Sequence, residues 1–163
     1  MPQNELLSDV LRRDVGFLQM TVSDMSDGEL AQRPVPGANT ALWQLGHLIT
    51  ADAHMVNACA GRTVVELPAG FADRYAKSKA VENDPSKLGK KAELLALFEA
   101  NRKKIADWVG TLSTNDMAKP APENLRSFLP TVGHVGLLLP GHLNMHIGQI
   151  QVLRRKLGKP VMF

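Results

Sequence analysis

Residues 88–112, LGKKAELLALFEANRKKIADWVGTL, set Leu94, Phe98, Asn101, Ile105, Trp108 and Leu112 at alternating steps of four and three. Such spacing gives one apolar seam along a helix, the pattern by which bundle helices pack. Asn101 is its polar member. A polar seam residue serves helix register and partner choice, or else lines a ligand pocket.

Three further segments carry helical periodicity. The first, about Gln3 to Met25, has the stripe Leu7, Leu11, Leu18 and Met25, with Asp14 in its middle. An unpaired buried carboxylate is costly, so Asp14 calls for a basic partner, Arg12, Arg13 or a residue on another helix, or for a place beside the site. Ser26-Asp27-Gly28-Glu29 has capping-box spacing and predicts a short helical turn. The second long helix starts after Asn39 or Thr40 and runs to about Ala60, with Gly61 as its stop. Residues 61–87, with Pro68, Gly70 and Pro85, read as a long crossover. A loop from Pro120 to Pro130 leads into the last helix, about Thr131 to Leu157, where Pro140 predicts a kink just before His142. No useful stretch alternates with period two. The expectation is one domain over 1–163, all-α, a four-helix bundle with a long crossover between helices 2 and 3.

An internal echo accompanies this pattern. Ser26 lies 21 residues before His47 and Ser113 lies 21 before His134, each interval holding a Pro-x-Pro. Either a helix pair has been duplicated or the spacing is coincidence.

Composition narrows the function classes. Hydrophobic residues make up 44% and charged residues 21%, as in ordinary globular proteins, and 163 residues suffice for a core without staples. The formal charge of +3 is spread thinly, and only Arg154-Arg155-Lys156 forms a tight cluster, which argues against a nucleic-acid-binding face. These cations read as a solvated last helical turn suited to the helix dipole. A single cysteine, Cys59, rules out an internal disulfide framework and reads as a small buried hydrophobe. With no signal-peptide pattern and no apolar run of spanning length, the expected location is cytoplasmic, with no membrane partner.

The chemistry concentrates in Gly141-His142-Leu143-Asn144-Met145-His146-Ile147-Gly148-Gln149. Residues four apart on a helix share a face, so both imidazoles can reach one ion at about 2.0–2.1 Å. Gln149 follows on the same face and can support a ligand from behind. His47, in the apolar run Trp43-Gln44-Leu45-Gly46-His47-Leu48, can supply a third ligand from another helix, with Trp43 one turn away as a wall. Three histidines without a fourth protein ligand leave one coordination position open. His54, seven residues after His47, and His134, eight before His142, are the alternative ligands or pocket residues, or else rim histidines with ordinary hydrogen bonds.

Leu30-Ala-x-Arg-Pro-x-Pro-Gly37, Trp43-x-x-Gly46-His47-Leu48, His142-x-x-x-His146-x-Gly148-Gln149 and Leu153-Arg154-Arg155-x-Leu157-Gly158 together resemble the DinB/YfiT-like superfamily, over nearly the whole chain. The resemblance implies a four-helix bundle, often dimeric, whose metal ligands are His47, His142 and His146. Zinc or nickel is the implied divalent ion. The resemblance also implies a small-molecule substrate, with thiol-dependent transferases using low-molecular-weight thiols, a thiol-dependent isomerase and hydrolases among its members. Fold and triad do not fix the reaction. A metal-dependent transferase or hydrolase is one expectation, with no catalytic side chain assigned. The other is a non-catalytic, stress-associated metal- or ligand-binding dimer, since no glutamate stands beside the histidine pair as in His-Glu-x-x-His.

Overall fold

A computed structural model describes residues 1–162. Its α-helices are α1 (Gln3–Val22), α2 (Asp27–Leu30), α3 (Ala41–Ala60), α4 (Phe71–Arg74), α5 (Pro85–Leu88), α6 (Lys91–Gly110), α7 (Thr114–Ala118) and α8 (Val135–Lys156). Short 3-10 turns occupy Lys77–Lys79, Glu123–Leu125 and Val132–His134. Among the described residues there is no strand, only an isolated bridge between Pro120 and Thr131. The all-α reading holds.

Local chemistry fixes the helix ends. The Thr40 hydroxyl accepts from the Trp43 amide at the start of α3, and Gly61, at φ +63°, ends it in the left-handed region where glycine is unstrained. Ser26 with Glu29 and Ser113 with Asp116 each close a full capping box, so both halves of the sequence echo take the same local form. Three boundaries differ from expectation, one being the start of the last helix, which begins at Val135 after a 3-10 turn over Val132–His134 and not at Thr131. α6 starts at Lys91, because Gly89 at φ +81° separates it from α5, which Asp84 caps and Pro85 opens. α1 stops at Val22, and Met25 is buried beyond it. Residues 61–87, read as a long crossover, hold α4, a 3-10 turn and the start of α5, which runs on to Leu88.

The long helices touch in a cycle: α1 with α6 and α8, and α3 with the same two. α1 and α6 are antiparallel, since Asn4 donates to the Gly110 carbonyl at 2.6 Å, Ser8 to that of Ala106 at 2.8 Å, and Gln19 to Glu99 at 3.0 Å. α8 runs with α1: Leu7 lies against Gly136 near their starts, and Arg154 donates to the Thr21 carbonyl at 2.9 Å near their ends. α3 runs against α8, with Gln44 level with His146 and Asp52 level with Leu139. The seam holds from Leu94 through Phe98, Asn101 and Ile105 to Trp108, all buried, whereas Leu112 lies beyond the end of α6 and is only partly buried.

One expectation is corrected. Arg154 is not part of a solvated turn but fully buried, because it follows Ile147, Ile150 and Leu153 on the inner face of α8. Its guanidinium is satisfied by the Asp24 carboxylate at 2.5 and 3.2 Å and by the carbonyls of Thr21 and Pro160. Arg155 and Lys156 do face solvent. None of the helices over the described residues is long and apolar enough to cross a membrane.

Candidate metal centre

α3 contributes His47, and one turn of α8 contributes His142 and His146. One ring nitrogen from each lies within 4.8 Å of the others. The Nε2 atoms of His142 and His146 are 3.1 Å apart. Two nitrogens bound tetrahedrally to one ion at about 2.05 Å stand about 3.3 Å apart, so this pair is close to ligand spacing. His47 meets both partners edge to face, with ring centroids at 5.2 and 5.4 Å.

Neighbouring side chains orient the rings. Trp43 stacks on His47 at 4.8 Å with planes 9° apart, which fixes the imidazole by its face and leaves its edge to the other two. Nδ1 of His146 lies 3.1 Å from Oε1 of both Gln44 and Gln149. Two acceptors at Nδ1 call for an N–H there, which leaves the Nε2 lone pair for an ion. Behind the glutamines a cavity of about 330 Å³ opens between Pro34, Val35, Asn39 and Val152.

Electrostatics keeps the cluster neutral. Burial holds the His142 imidazole down to about 4, helped by His146, His47 and Arg102. Burial and then His47 hold His146 at about 4 as well, against an opposing bond from Gln149. His47 is lowered by burial and by the Lys77 ammonium. Neutral imidazoles near pH 7 present lone pairs rather than N–H⁺ groups, as metal ligation requires. Nδ1 of His142 is buried with no partner, the atom from which a ligating imidazole donates to its support. His47 and His142 remain partly exposed, so the cluster is reachable from solvent. On donor set, spacing and protonation, these residues fit a divalent ion.

The remaining candidates fall elsewhere. His54 is exposed on α3. His134 is exposed ahead of α8, its Nδ1 2.8 Å from the Thr131 hydroxyl, and does not take the place His47 has in α3. Asp14 finds its partner on another helix: Arg102, at 3.5 Å, which also binds Asp52 at 2.8 Å. Asn101 is buried with its Nδ2 unpartnered. Cys59 is half-buried, and burial pushes its thiol up, away from the reactive thiolate.

Sequence reading missed Gln44, Asp52, Arg102 and Lys77. The signal for Gln44 and Asp52 was present, as polar residues in an otherwise apolar helix. It also missed why Gly46 precedes His47: a Cβ there would overlap Cγ, Cδ1 and Cε1 of Tyr75, whose hydroxyl donates to the Leu88 carbonyl. Glycine thus lets residues 71–88 lie against α3 one residue from the site.

No curated protein matches this sequence. The sequence model of the DinB superfamily matches residues 16–150, a span holding all three histidines and most of the four long helices. The chain belongs to the DinB superfamily.

Proposed function

We propose that this protein is a metal-dependent enzyme acting on a small molecule, with zinc or nickel held by His47, His142 and His146 and a thiolate cosubstrate in the open position. On the same reading the long helices form a DinB-type four-helix bundle with residues 61–87 as its crossover. The observation that carries it is the gathering of three neutral imidazoles, His47 and His142 partly exposed and His146 buried, with one ring nitrogen of each within 4.8 Å of the others.

When bound, the ion supplies Lewis acidity that deprotonates a coordinating thiol near neutral pH. The protein's own groups do the rest. Gln44 and Gln149 hold His146, and Trp43 holds His47, so the donors are set before a ligand arrives. Lys77 is exposed, and its charge acts on His47. An anionic sulfur entering beside His47 therefore meets a favourable field.

The test starts from metal analysis of untagged protein. About one divalent ion per chain is expected, abolished by His142→Ala with His146→Ala and sharply weakened by His47→Ala, with little change from His54→Ala or His134→Ala. Cobalt-substituted protein should then gain a sulfur-to-metal charge-transfer band with a low-molecular-weight thiol, and His142→Ala should remove it. An unchanged spectrum at millimolar thiol would leave hydrolysis or plain metal binding as the better account.

A further inference from the structure

Beneath the histidines lies a buried polar layer that the proposed chemistry does not use. Arg102, on α6, is fully buried. Its Nε donates to Asp52 Oδ2 at 2.8 Å and its Nη2 to the Leu139 carbonyl at 3.2 Å, and Nη1 lies 3.5 Å from Asp14. Leu139 is one helical turn before His142, and the Arg102 charge acts on that imidazole. One guanidinium thus ties α1, α3 and α6 to the α8 backbone just below a candidate ligand.

Two buried carboxylates on one guanidinium is more negative charge than an ion pair needs, and burial is costly for both. Hydrogen-bond accounting gives the second carboxylate a use. Five buried side-chain atoms among the described residues lack a partner: Trp43 Nε1, Asn101 Nδ2, Gln151 Nε2, Asp52 Oδ1 and His142 Nδ1. The first three only donate, and Asp52 Oδ1 accepts. His142 Nδ1 must donate once Nε2 faces an ion, so Asp52 Oδ1 is the one acceptor in this set that complements it. Neither atom has a direct partner, and a water between them would give both one.

We propose that Asp52, clamped by Arg102, is the positioning residue for His142: through one buried water its Oδ1 accepts the Nδ1–H that directs His142 Nε2 to the ion. This rests on the metal reading above. Asp14 holds the far side of the same guanidinium and has no such role.

Asp52→Asn is the discriminating change. Asparagine would turn its oxygen to Arg102 and its amide to His142, replacing an acceptor by a donor at the same place. Zinc affinity by chelator competition should fall about 10–100-fold, the usual cost of losing a ligand's supporting acceptor. Asp14→Asn removes the same charge from the same guanidinium and should change affinity less than about threefold. Equal losses in the two variants, or none in Asp52→Asn, would overturn the proposal. Should Asp52→Asn not fold, the unsubstituted zinc-loaded protein decides by ¹⁵N-resolved histidine spectra. A slowly exchanging His142 Nδ1 proton is expected, and Nδ1 ligation or a freely exchanging proton refutes it. A native chain that binds no zinc at the triad defeats the functional reading and this one together. Zinc binding that ignores Asp52 defeats this one alone.

Discussion

Alanine in place of glycine within a helix ordinarily stabilises by about 1 kcal/mol; at Gly46, within α3, the Tyr75 ring reverses the sign. The added methyl would overlap three ring carbons, one of them Cγ, so rotating the ring about its own axis does not relieve the clash. Tyr75 is 1% exposed, packs its ring against Phe71 at 4.7 Å and donates to the Leu88 carbonyl. Restoring carbon contacts of about 3.5–4.0 Å requires the segment from α4 to α5 to move by roughly 1 Å or more. Overpacking costs typically about 1–3 kcal/mol, and the ceiling is expulsion of the ring, about 3–5 kcal/mol as for deleting a buried aromatic. Overlap with three buried ring carbons at once puts the cost at that ceiling, so against the helical gain the net expectation for Gly46→Ala is a loss of about 2–4 kcal/mol, or roughly 5–15 °C in Tm for a chain of this size. Urea unfolding measures it, and a double-mutant cycle isolates the cause. Tyr75→Ala makes room for the methyl, so the double variant should be more stable than the sum of the single losses by at least about 1.5 kcal/mol. A Gly46→Ala protein as stable as the parent, or strictly additive losses, would refute the packing argument.

Three further outcomes follow from the same geometry. His142 and His146 stay neutral down to about 4, so protons should not compete for these two ligands between pH 7 and 5; zinc affinity of the folded protein should fall there much less steeply than three ordinary imidazoles would give, and a fall with the full three-proton steepness starting near the usual imidazole value would contradict it. The same depression means that the unfolded chain takes up these protons first: metal-free stability, complete above about pH 6.5, should decline as pH falls towards 4, as denaturant titrations across that window would show. Arg102→Met leaves Asp14 and Asp52 buried without a counter-charge and should cost about 3–5 kcal/mol at pH 7; because both carboxyls then bind protons more tightly folded than unfolded, the deficit should shrink as pH falls towards 4, and a pH-independent loss would count against the ion-pair account.

Reading the chain without its fold went furthest where the physics is local. The four-three seam of Leu94 to Trp108, the α3 cap narrowed to Asn39 or Thr40, the Gly61 stop, and the Ser26–Glu29 capping box all depend on hydrogen bonds or side-chain neighbours within one turn. The His142–His146 pair shares a face for the same reason. Asp14 announced itself as a carboxylate in an apolar stripe, and its need for a basic partner was legible while the partner was not.

What the sequence determined by itself, then, is helicity, the local caps of α2 and the stop of α3, and the α8 half of the site, because each is set by groups no more than four residues apart. Periodicity put His47 and His54 on one face of α3 and could not separate them. Only packing against α8 turned His47 into the cluster and left His54 in solvent. Arg154 looked like a solvated cation until Asp24, 130 positions away in sequence, met it inside the core. Gln44 reaches His146 across 102 positions and Arg102 reaches Asp52 across 50. Burial and hydrogen-bond satisfaction are properties of the assembled helices, and no local rule knows which distant group will fill a given lone pair.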